Sequence, residues 1–214
     1  MNLTIVTHYL RNYQELANIT SSSKARYAKR YGYQFHEQIE NYGDMLFDPQ
    51  RIQIIYDLFF RSWKSPDIIW WTGCDTLITN HFIPVVNFIT DPSKSLFIHK
   101  DRNGLNNDSF IIRKTEWTKR FLEFTLEKVA GLNSPDWHSQ KIWQEYVETD
   151  QWKNELSILA HPGINSYLYA IYGEPNTMPG DFRKGHLLLH LPARSMEKRI
   201  SIFNSVILQG IVIE

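Results

Sequence analysis

The sequence predicts an α/β fold in which strands and helices alternate through the first half of the chain. Two apolar runs, Leu3 to Val6 and Asp67 to Thr72, each lead directly into polar residues. Buried strands of an open α/β sheet end in this way where the sheet approaches a ligand. Between the two runs, apolar residues recur at helical spacing, so we expect helices connecting largely parallel strands.

The first half therefore reads as strand, helix, strand, helix, strand. The helix Ser21 to Tyr31 ends at Gly32, a residue suited to the left-handed position that follows a helix. A strand from Tyr33 to Ile39 comes next. The helix Arg51 to Trp63 then precedes the strand that ends at Thr72.

The second half is less regular. A polar stretch, Asp101 to Asp108, is predicted to be a turn that joins two short strands. The predicted strands are Leu96 to His99, Ser109 to Arg113, Leu156 to Ala160 and Leu187 to His190, and the predicted helices are Thr115 to Val129, Trp137 to Tyr146 and Ser195 to Phe203.

Composition limits the possible functions. The 214 residues contain no linker rich in Pro, Gly or Ser, so we expect a single domain over 1–214, either by itself or as one domain of a longer polypeptide. Lys plus Arg and Asp plus Glu number 23 each, which excludes nonspecific binding of nucleic acid or acidic membranes through net charge. With no apolar run of roughly 20 residues, we expect a soluble, cytoplasmic protein without a membrane span.

Asp75 is the most informative residue. It follows the apolar run at a place where a carboxylate would enter the ligand-binding crevice of an α/β sheet. This placement indicates a metal-assisted nucleotide or nucleotide-sugar site. The alternative is that Asp75 only caps the segment after the strand, as aspartates commonly do.

Four segments resemble the motifs of one enzyme family. Lys24 to Tyr33 is similar to "YA..HGY", Trp70 to Asn80 to "WWLDADTLIMN", and Gly104 to Arg113 to "GINAGSFLIRN". Gly180 to Phe182, followed by Leu189 to Ala193, resembles "GDF..HFAG". In this order they resemble glycosyltransferase family 34, the retaining GT-A enzymes that include fungal galactosyl- and mannosyltransferases and plant xyloglucan xylosyltransferases.

The resemblance implies a GT-A domain, with a Rossmann-like mixed central sheet flanked by helices. It also implies a metal-dependent enzyme that moves a sugar from a nucleotide sugar, expected to be a UDP-sugar, to a glycan or glycoprotein acceptor with retention of configuration. The expected cation is Mn²⁺ or Mg²⁺, because a Lewis acid neutralises the charge on the departing diphosphate.

Asp75 and His190 match the metal-binding positions of the family. A carboxylate and an imidazole suit Mn²⁺. His190 has an alternative interpretation as a core histidine at a strand end, and His186 is a rival ligand. The chain departs from the family at Gly73, which stands where the family has the first Asp of its Asp-X-Asp motif.

Further residues are assigned to catalysis through the same resemblance. Asn106 and Asp108 would lie beside the donor sugar, with Asp108 in place of a family glycine; an ordinary polar turn is the alternative. Gln140 would lie near the anomeric carbon. Because Ser139 replaces the neighbouring acid, a front-face mechanism is favoured, in which the leaving phosphate accepts the acceptor's proton.

The donor nucleotide is expected to contact two other groups of residues. Thr7, His8 and Tyr9 follow the first strand and would touch uracil or ribose, with Cys74 assigned to the same edge as a packed side chain and not as a nucleophile. Basic residues after His190 would hold the diphosphate, unless they form a solvated helix face; these are Arg194, Lys198 and Arg199.

Two other function classes compete. The missing carboxylate at Gly73 is compatible with a sugar- or nucleotide-binding module that has lost activity. A metal-dependent nucleotidyltransferase is the weaker alternative. Such an enzyme would require a glycine-rich phosphate loop after the first strand, and residues 7–12 contain no glycine.

Overall fold

A computed structural model describes residues 2–42, 47–101, 103–130, 138–168 and 180–214. The predicted α/β fold is confirmed. The strands are β1 (Leu3–Tyr9), β2 (Gln34–Ile39), β3 (Ile68–Thr72), β4 (Thr76–Ile78), β5 (Leu96–Asp101), β6 (Gly104–Arg113), β7 (Leu156–Ile158) and β8 (Leu188–His190). The α-helices are α1 (Gln14–Tyr31), α2 (Phe47–Phe60), α3 (Glu116–Ala130), α4 (His138–Tyr146) and α5 (Met196–Leu208). Trp137, where a helix was predicted to begin, lies outside the described residues.

Six strands form a mixed central sheet in the order β2-β1-β3-β6-β5-β7. Strand β1 is parallel to both β2 and β3, whereas β6 is antiparallel to β3 and β5. The chain leaves β1 towards β2 on one side and later returns to β3 on the other. The carboxyl ends of β1 and β3 therefore border a crevice where the strand order switches, the usual ligand site of such sheets.

Strand β3 shows why the central strands are apolar throughout. Ile69 and Trp71 pack into a core shared with α2, α3 and α4. On the opposite face, Ile68 and Trp70 pack with Tyr27 of α1. Because both faces of the sheet are covered, every residue of β3 is buried and the usual alternation of apolar and polar residues is absent.

The predicted turn from Asp101 to Asp108 is wrong. Strand β6 begins at Gly104, and His99 pairs with Asn106 across the hairpin, so the polar residues 106–108 lie within the strand. Polar residues are disfavoured in strands when they have no partners, but here hydrogen bonds within the crevice satisfy them. Asp101 pairs with Gly104, so paired strand residues account for most of the predicted turn.

Helix α1 also differs from its prediction, since it begins at Gln14 instead of Ser21. Several of its serine and threonine hydroxyls are satisfied: Ser22 donates to the Asn18 carbonyl one turn back, whereas Thr20 and Ser23 donate to the carbonyls of Cys74 and Ile78 outside the helix. These bonds let a segment rich in Ser and Thr remain helical.

Among the described helices, none has both the length and the apolar character needed to cross a bilayer.

Candidate active site

Asp75 belongs to a short turn between β3 and β4 that α1 holds in place. The Gly73 carbonyl accepts hydrogen bonds from Lys24 Nζ and Thr76 Oγ1, each at 2.7 Å. The Cys74 carbonyl accepts one from Thr20 Oγ1 at 2.8 Å. Lys24 is fully buried, and burial lowers its pKa to about 8. Side chains of one helix thus fix the backbone that carries Asp75.

His190 reaches Asp75 through a two-stranded antiparallel ribbon of β4 and β8. Thr76 lies opposite His190 in this ribbon, and Leu191 N donates to the Asp75 carbonyl at 3.0 Å. The result is a distance of 3.6 Å between His190 Nε2 and Asp75 Oδ1. The structure therefore brings together the two residues predicted to be metal ligands, although they are far apart in the sequence.

The orientation of the His190 ring is set by Asn165. His190 Nδ1 donates to Asn165 Oδ1 at 3.1 Å, while the Asn165 amide donates to Tyr167 Oη at 2.9 Å. In the neutral tautomer that carries its proton on Nδ1, the lone pair is on Nε2. Nε2 is buried and has no hydrogen-bond partner among the described residues. A histidine fixed through one nitrogen and open at the other is typical of a metal ligand.

Two carboxylates face this nitrogen, and each is also paired with an arginine. Asp108 Oδ2 lies 3.7 Å from His190 Nε2, and Asp108 Oδ1 lies 2.8 Å from Arg51 Nη1. Asp75 Oδ2 lies 3.2 Å from Arg199 Nη2. Each carboxylate thus lies between an arginine and His190, which lets ionised groups persist with little exposure to water.

Charge outweighs burial in setting the pKa values here. Burial raises the pKa of Asp75, but His190 and Arg199 more than compensate, so its pKa lies below the ordinary value. Burial lowers the pKa of His190, but Asp75 and Asp108 reverse that effect and its pKa lies above the ordinary value. The site therefore favours a positive charge between the two carboxylates.

Arg51, from α2, is a site residue that the sequence analysis missed. Besides Asp108, its guanidinium donates to Asp48 Oδ1 at 2.7 Å and to the carbonyl and side-chain oxygens of Asn107 at 2.8 and 2.9 Å. The signal available in the sequence was a charged residue at the start of an apolar helix face. No comparable signal marks Lys24 or Asn165 as a support of the site.

A cleft opens at this edge of the sheet. It is lined by His8, Tyr13, Arg51, Trp71, Gly73, Cys74, Asp75, Asp108 and Arg199. Of the residues predicted to contact the donor nucleotide, His8, Cys74 and Arg199 line the cleft. His8 Nε2 donates to the Glu40 carbonyl at 2.9 Å. Burial raises the pKa of the Cys74 thiol to about 12, which agrees with a packed and unreactive side chain.

Thr7 and Tyr9 do not line the cleft. Both are fully buried in β1; Thr7 Oγ1 lies 3.4 Å from Lys24 Nζ, and Tyr9 Oη donates to Glu37 at 2.9 Å. The Tyr9 ring is enclosed in the protein, so the face predicted to stack on a base is not presented to the cleft.

Asn106 and Gln140, which were predicted to be catalytic, do not line the cleft. The Asn106 side chain donates to Asp101 at 3.0 Å and accepts the Asp108 N–H at 3.0 Å, so it supports Asp108 from within β6. Gln140 is buried in the first turn of α4. The adjacent Ser139 hydroxyl accepts a hydrogen bond from Asn107 at 3.0 Å.

Among the basic residues after His190, Arg199 reaches the site. Lys198 is exposed on α5 and Arg194 is half-buried before that helix, and neither lines the cleft. The rival histidine, His186, lies in the turn before β8, where its Nδ1 accepts the Arg183 N–H at 3.2 Å. It is His190 that lies between the carboxylates.

In the described part of the chain, no group of three or more His, Cys, Asp or Glu side chains is already arranged to hold a metal ion.

Comparisons with solved structures support the fold. A glycosyltransferase involved in the glycosylation of the major capsid of PBCV-1 superposes with a TM-score of 0.76 at 16% identity, covering 96% of this chain and 100% of that one. GlyE, a glycosyltransferase of Streptococcus pneumoniae TIGR4, gives a TM-score of 0.56 at 12% identity, covering 100% of this chain and 65% of that one. At these identities, the likeness establishes the fold alone.

Sequence comparison identifies the family. The uncharacterized alpha-1,2-galactosyltransferase C637.06 of Schizosaccharomyces pombe (strain 972 / ATCC 24843) is 23% identical over 201 residues, covering 72% of this chain. The chain spans about half the length of that relative, 55%. The model of the galactosyl transferase GMA12/MNN10 family matches residues 85–193, just over half of the chain. The chain therefore belongs to the galactosyl transferase GMA12/MNN10 family.

Proposed function

We propose that residues 1–214 act as one GT-A glycosyltransferase domain that transfers a sugar from a UDP-sugar to a glycan or glycoprotein acceptor with retention of configuration, using Mn²⁺ or Mg²⁺. The observation that carries this proposal is the unpartnered Nε2 of His190, fully buried and facing Asp75. Family membership supports sugar transfer. The name of the yeast relative makes UDP-galactose the first donor to test.

The residues present fit a divalent cation. Asp75 offers a hard oxygen and His190 an imidazole nitrogen, a donor set that suits Mn²⁺. Cations at phosphate sites are commonly bound through one or two carboxylates together with substrate phosphates, so a complete protein cage is not needed. When bound, the cation supplies charge neutralisation for the diphosphate leaving group.

The protein's own residues keep this site ready for a cation. Arg199 donates to the Leu191 carbonyl through Nε at 2.9 Å, which fixes the guanidinium beside Asp75. Asn165 keeps the His190 ring in the orientation that turns Nε2 towards Asp75. Such positioning lowers the reorganisation needed when charge develops on the leaving group.

Retention through a front-face route is part of the proposal. Among the described residues, the carboxylates that line the cleft are Asp75 and Asp108, and each is paired with an arginine. Ion pairing makes a carboxylate a poorer nucleophile. The acceptor hydroxyl is therefore proposed to attack from the side on which the diphosphate leaves, with the departing phosphate taking its proton.

The test is a donor screen with purified protein, UDP-galactose, UDP-glucose and UDP-xylose in the presence of Mn²⁺. We expect slow release of UDP with one donor, abolished by a chelator and by Asp75→Asn. Asp150→Asn, which alters an exposed surface aspartate, is the matched control and should behave like the native protein. UDP release that survives both the chelator and Asp75→Asn would contradict the proposal, and the anomer of the sugar product reports on retention.

A binding module of the same fold is the second candidate. The observation that favours it is Gly73, which offers no side chain where the family motif has a carboxylate. This candidate predicts calorimetric binding of UDP-sugars without turnover for any donor and acceptor tried. Turnover that depends on Asp75 would exclude it.

A further inference from the structure

Two departures from the family motifs are complementary. Gly73 stands where the second motif has an aspartate, and Asp108 stands where the third motif has a glycine. One position lacks a carboxylate and another has gained one. Gly73 follows the last residue of β3, whereas Asp108 lies within β6, and the two are distant in the sequence.

In the structure the two positions are neighbours. Gly73 N donates to the Asp108 carbonyl at 2.7 Å, just beyond the last paired residues of β3 and β6. A Cβ atom at position 73 would lie 3.7 Å from the Cβ of Asp108. A carboxylate carried by either residue can therefore enter the same part of the cleft.

Asp108 is oriented towards the open nitrogen of His190. Its Oδ2 lies 3.7 Å from His190 Nε2, close to the 3.6 Å that separates the same nitrogen from Asp75 Oδ1. Two ligand atoms about 2.1 Å from a shared cation are roughly 3 to 4 Å apart at ordinary coordination angles. Arg51 holds the other oxygen of Asp108 at 2.8 Å, which leaves Oδ2 directed at this space.

We propose that Asp108 supplies the carboxylate ligand that Gly73 lacks, so that Asp75, His190 and Asp108 together bind the cation. This inference rests on the proposed metal-dependent function. Among the described residues no group of three side chains is already arranged as a metal centre, and each carboxylate has one oxygen paired with an arginine, Asp75 with Arg199 and Asp108 with Arg51. Cation binding requires the remaining two oxygens to close on the space in front of His190 Nε2.

The experiment measures Mn²⁺ affinity by electron paramagnetic resonance of the free ion, with and without UDP. Asp108→Asn should weaken Mn²⁺ binding by about 10- to 100-fold. Asp48→Asn is the matched control, since Asp48 also pairs with Arg51 at 2.7 Å. It removes an Arg51 partner but leaves the Asp108 carboxylate in place, so Mn²⁺ affinity should remain native.

A carboxylate returned to position 73 should restore binding. In Asp108→Gly, adding Gly73→Asp re-creates the family pattern at both positions. A Cβ at position 73 would approach Asp75 Oδ1 to 2.8 Å, but that oxygen is the end of a side chain and can shift. We expect the double variant to recover Mn²⁺ affinity to within about tenfold of the native protein.

The outcomes separate this inference from the proposed function. Native affinity in Asp108→Asn, together with loss in Asp75→Asn, would overturn the role of Asp108 and leave the metal-dependent function standing. Equal losses in Asp108→Asn and Asp48→Asn would also overturn it, because the effect would then come from Arg51. A native protein that binds no Mn²⁺, with or without UDP, would overturn both.

Discussion

His190 and His99 are both fully buried histidines on strands, yet their surroundings differ in every respect that matters for function. His190 faces two carboxylates, which raise its pKa. His99 stacks on His161 with ring centroids 4.8 Å apart, and burial and this neighbour lower its pKa to about 3. Burial alone therefore does not separate the two histidines, whereas the charge of their neighbours does.

Their hydrogen bonds differ in the same sense. His99 Nε2 accepts the Ile164 N–H at 3.0 Å, so its ring is hydrogen-bonded to the backbone at Ile164. His190 uses Nδ1 for its bond to Asn165 and leaves Nε2 unpartnered towards the cleft. We infer that His99 contributes to stability and that His190 contributes to binding.

The largest expected effect is on activity. His190→Ala should reduce Mn²⁺-dependent UDP release by about 100-fold or more, since several kcal/mol of charge stabilisation depends on the cation. The thermal melting curve should show a folded protein. Activity within a few-fold of native, measured at the same Mn²⁺ concentration, would show that His190 is not needed for Mn²⁺-dependent UDP release.

The next effect is on stability. His99→Ala should lower the free energy of unfolding by about 2 to 4 kcal/mol, because it leaves a cavity and a buried N–H of Ile164 without its acceptor. Urea denaturation provides the measurement. Mn²⁺ affinity of the folded variant should stay native, and a selective loss of that affinity would place His99 in the binding site.

A smaller effect is expected at the residue behind His190. Asn165→Ala removes the acceptor for His190 Nδ1 and frees the ring to rotate or change tautomer. Mn²⁺ affinity should fall by about 10-fold, the lower end of the range for residues that orient metal ligands. Calorimetric titration tests this expectation, and an unchanged affinity would show that β8 alone positions the ring.

The effect that is smallest near neutral pH is a dependence of stability on pH. The pKa of His99 is about 3 in the folded protein and should return to its ordinary value near 6.5 on unfolding. Below pH 6.5 the unfolded state binds the proton and the folded state does not, so His99 destabilises the protein increasingly as pH falls towards 3. The limiting slope is about 1.4 kcal/mol per pH unit.

His99→Gln provides the matched comparison, because glutamine keeps an acceptor for Ile164 but does not titrate. We expect the difference in unfolding free energy between the native protein and this variant to change across pH 6.5 to 4. A constant difference over that interval would show that His99 keeps an ordinary pKa in the folded state.

Sequence patterns predicted the central strands well because their residues are buried on both faces and are apolar throughout. The meeting of Asp75 and His190 followed from motif resemblance, which carries tertiary information that periodicity lacks. By contrast, residues 106–108 were misassigned to a turn, since local propensity does not include partners such as Arg51 and Asp101 that satisfy polar groups within a strand. Lys24 and Asn165 act on neighbours that only the fold brings near.

The ribbon of β4 and β8 has a consequence for how this site tolerates change. Thr76 and His190 are directly paired, so the gap between the two halves of the site is fixed by a few backbone hydrogen bonds. Insertions or deletions in the long intervening stretch leave that spacing intact as long as both short strands still pair. Length variation in that stretch is therefore compatible with a constant distance between Asp75 and the His190 imidazole.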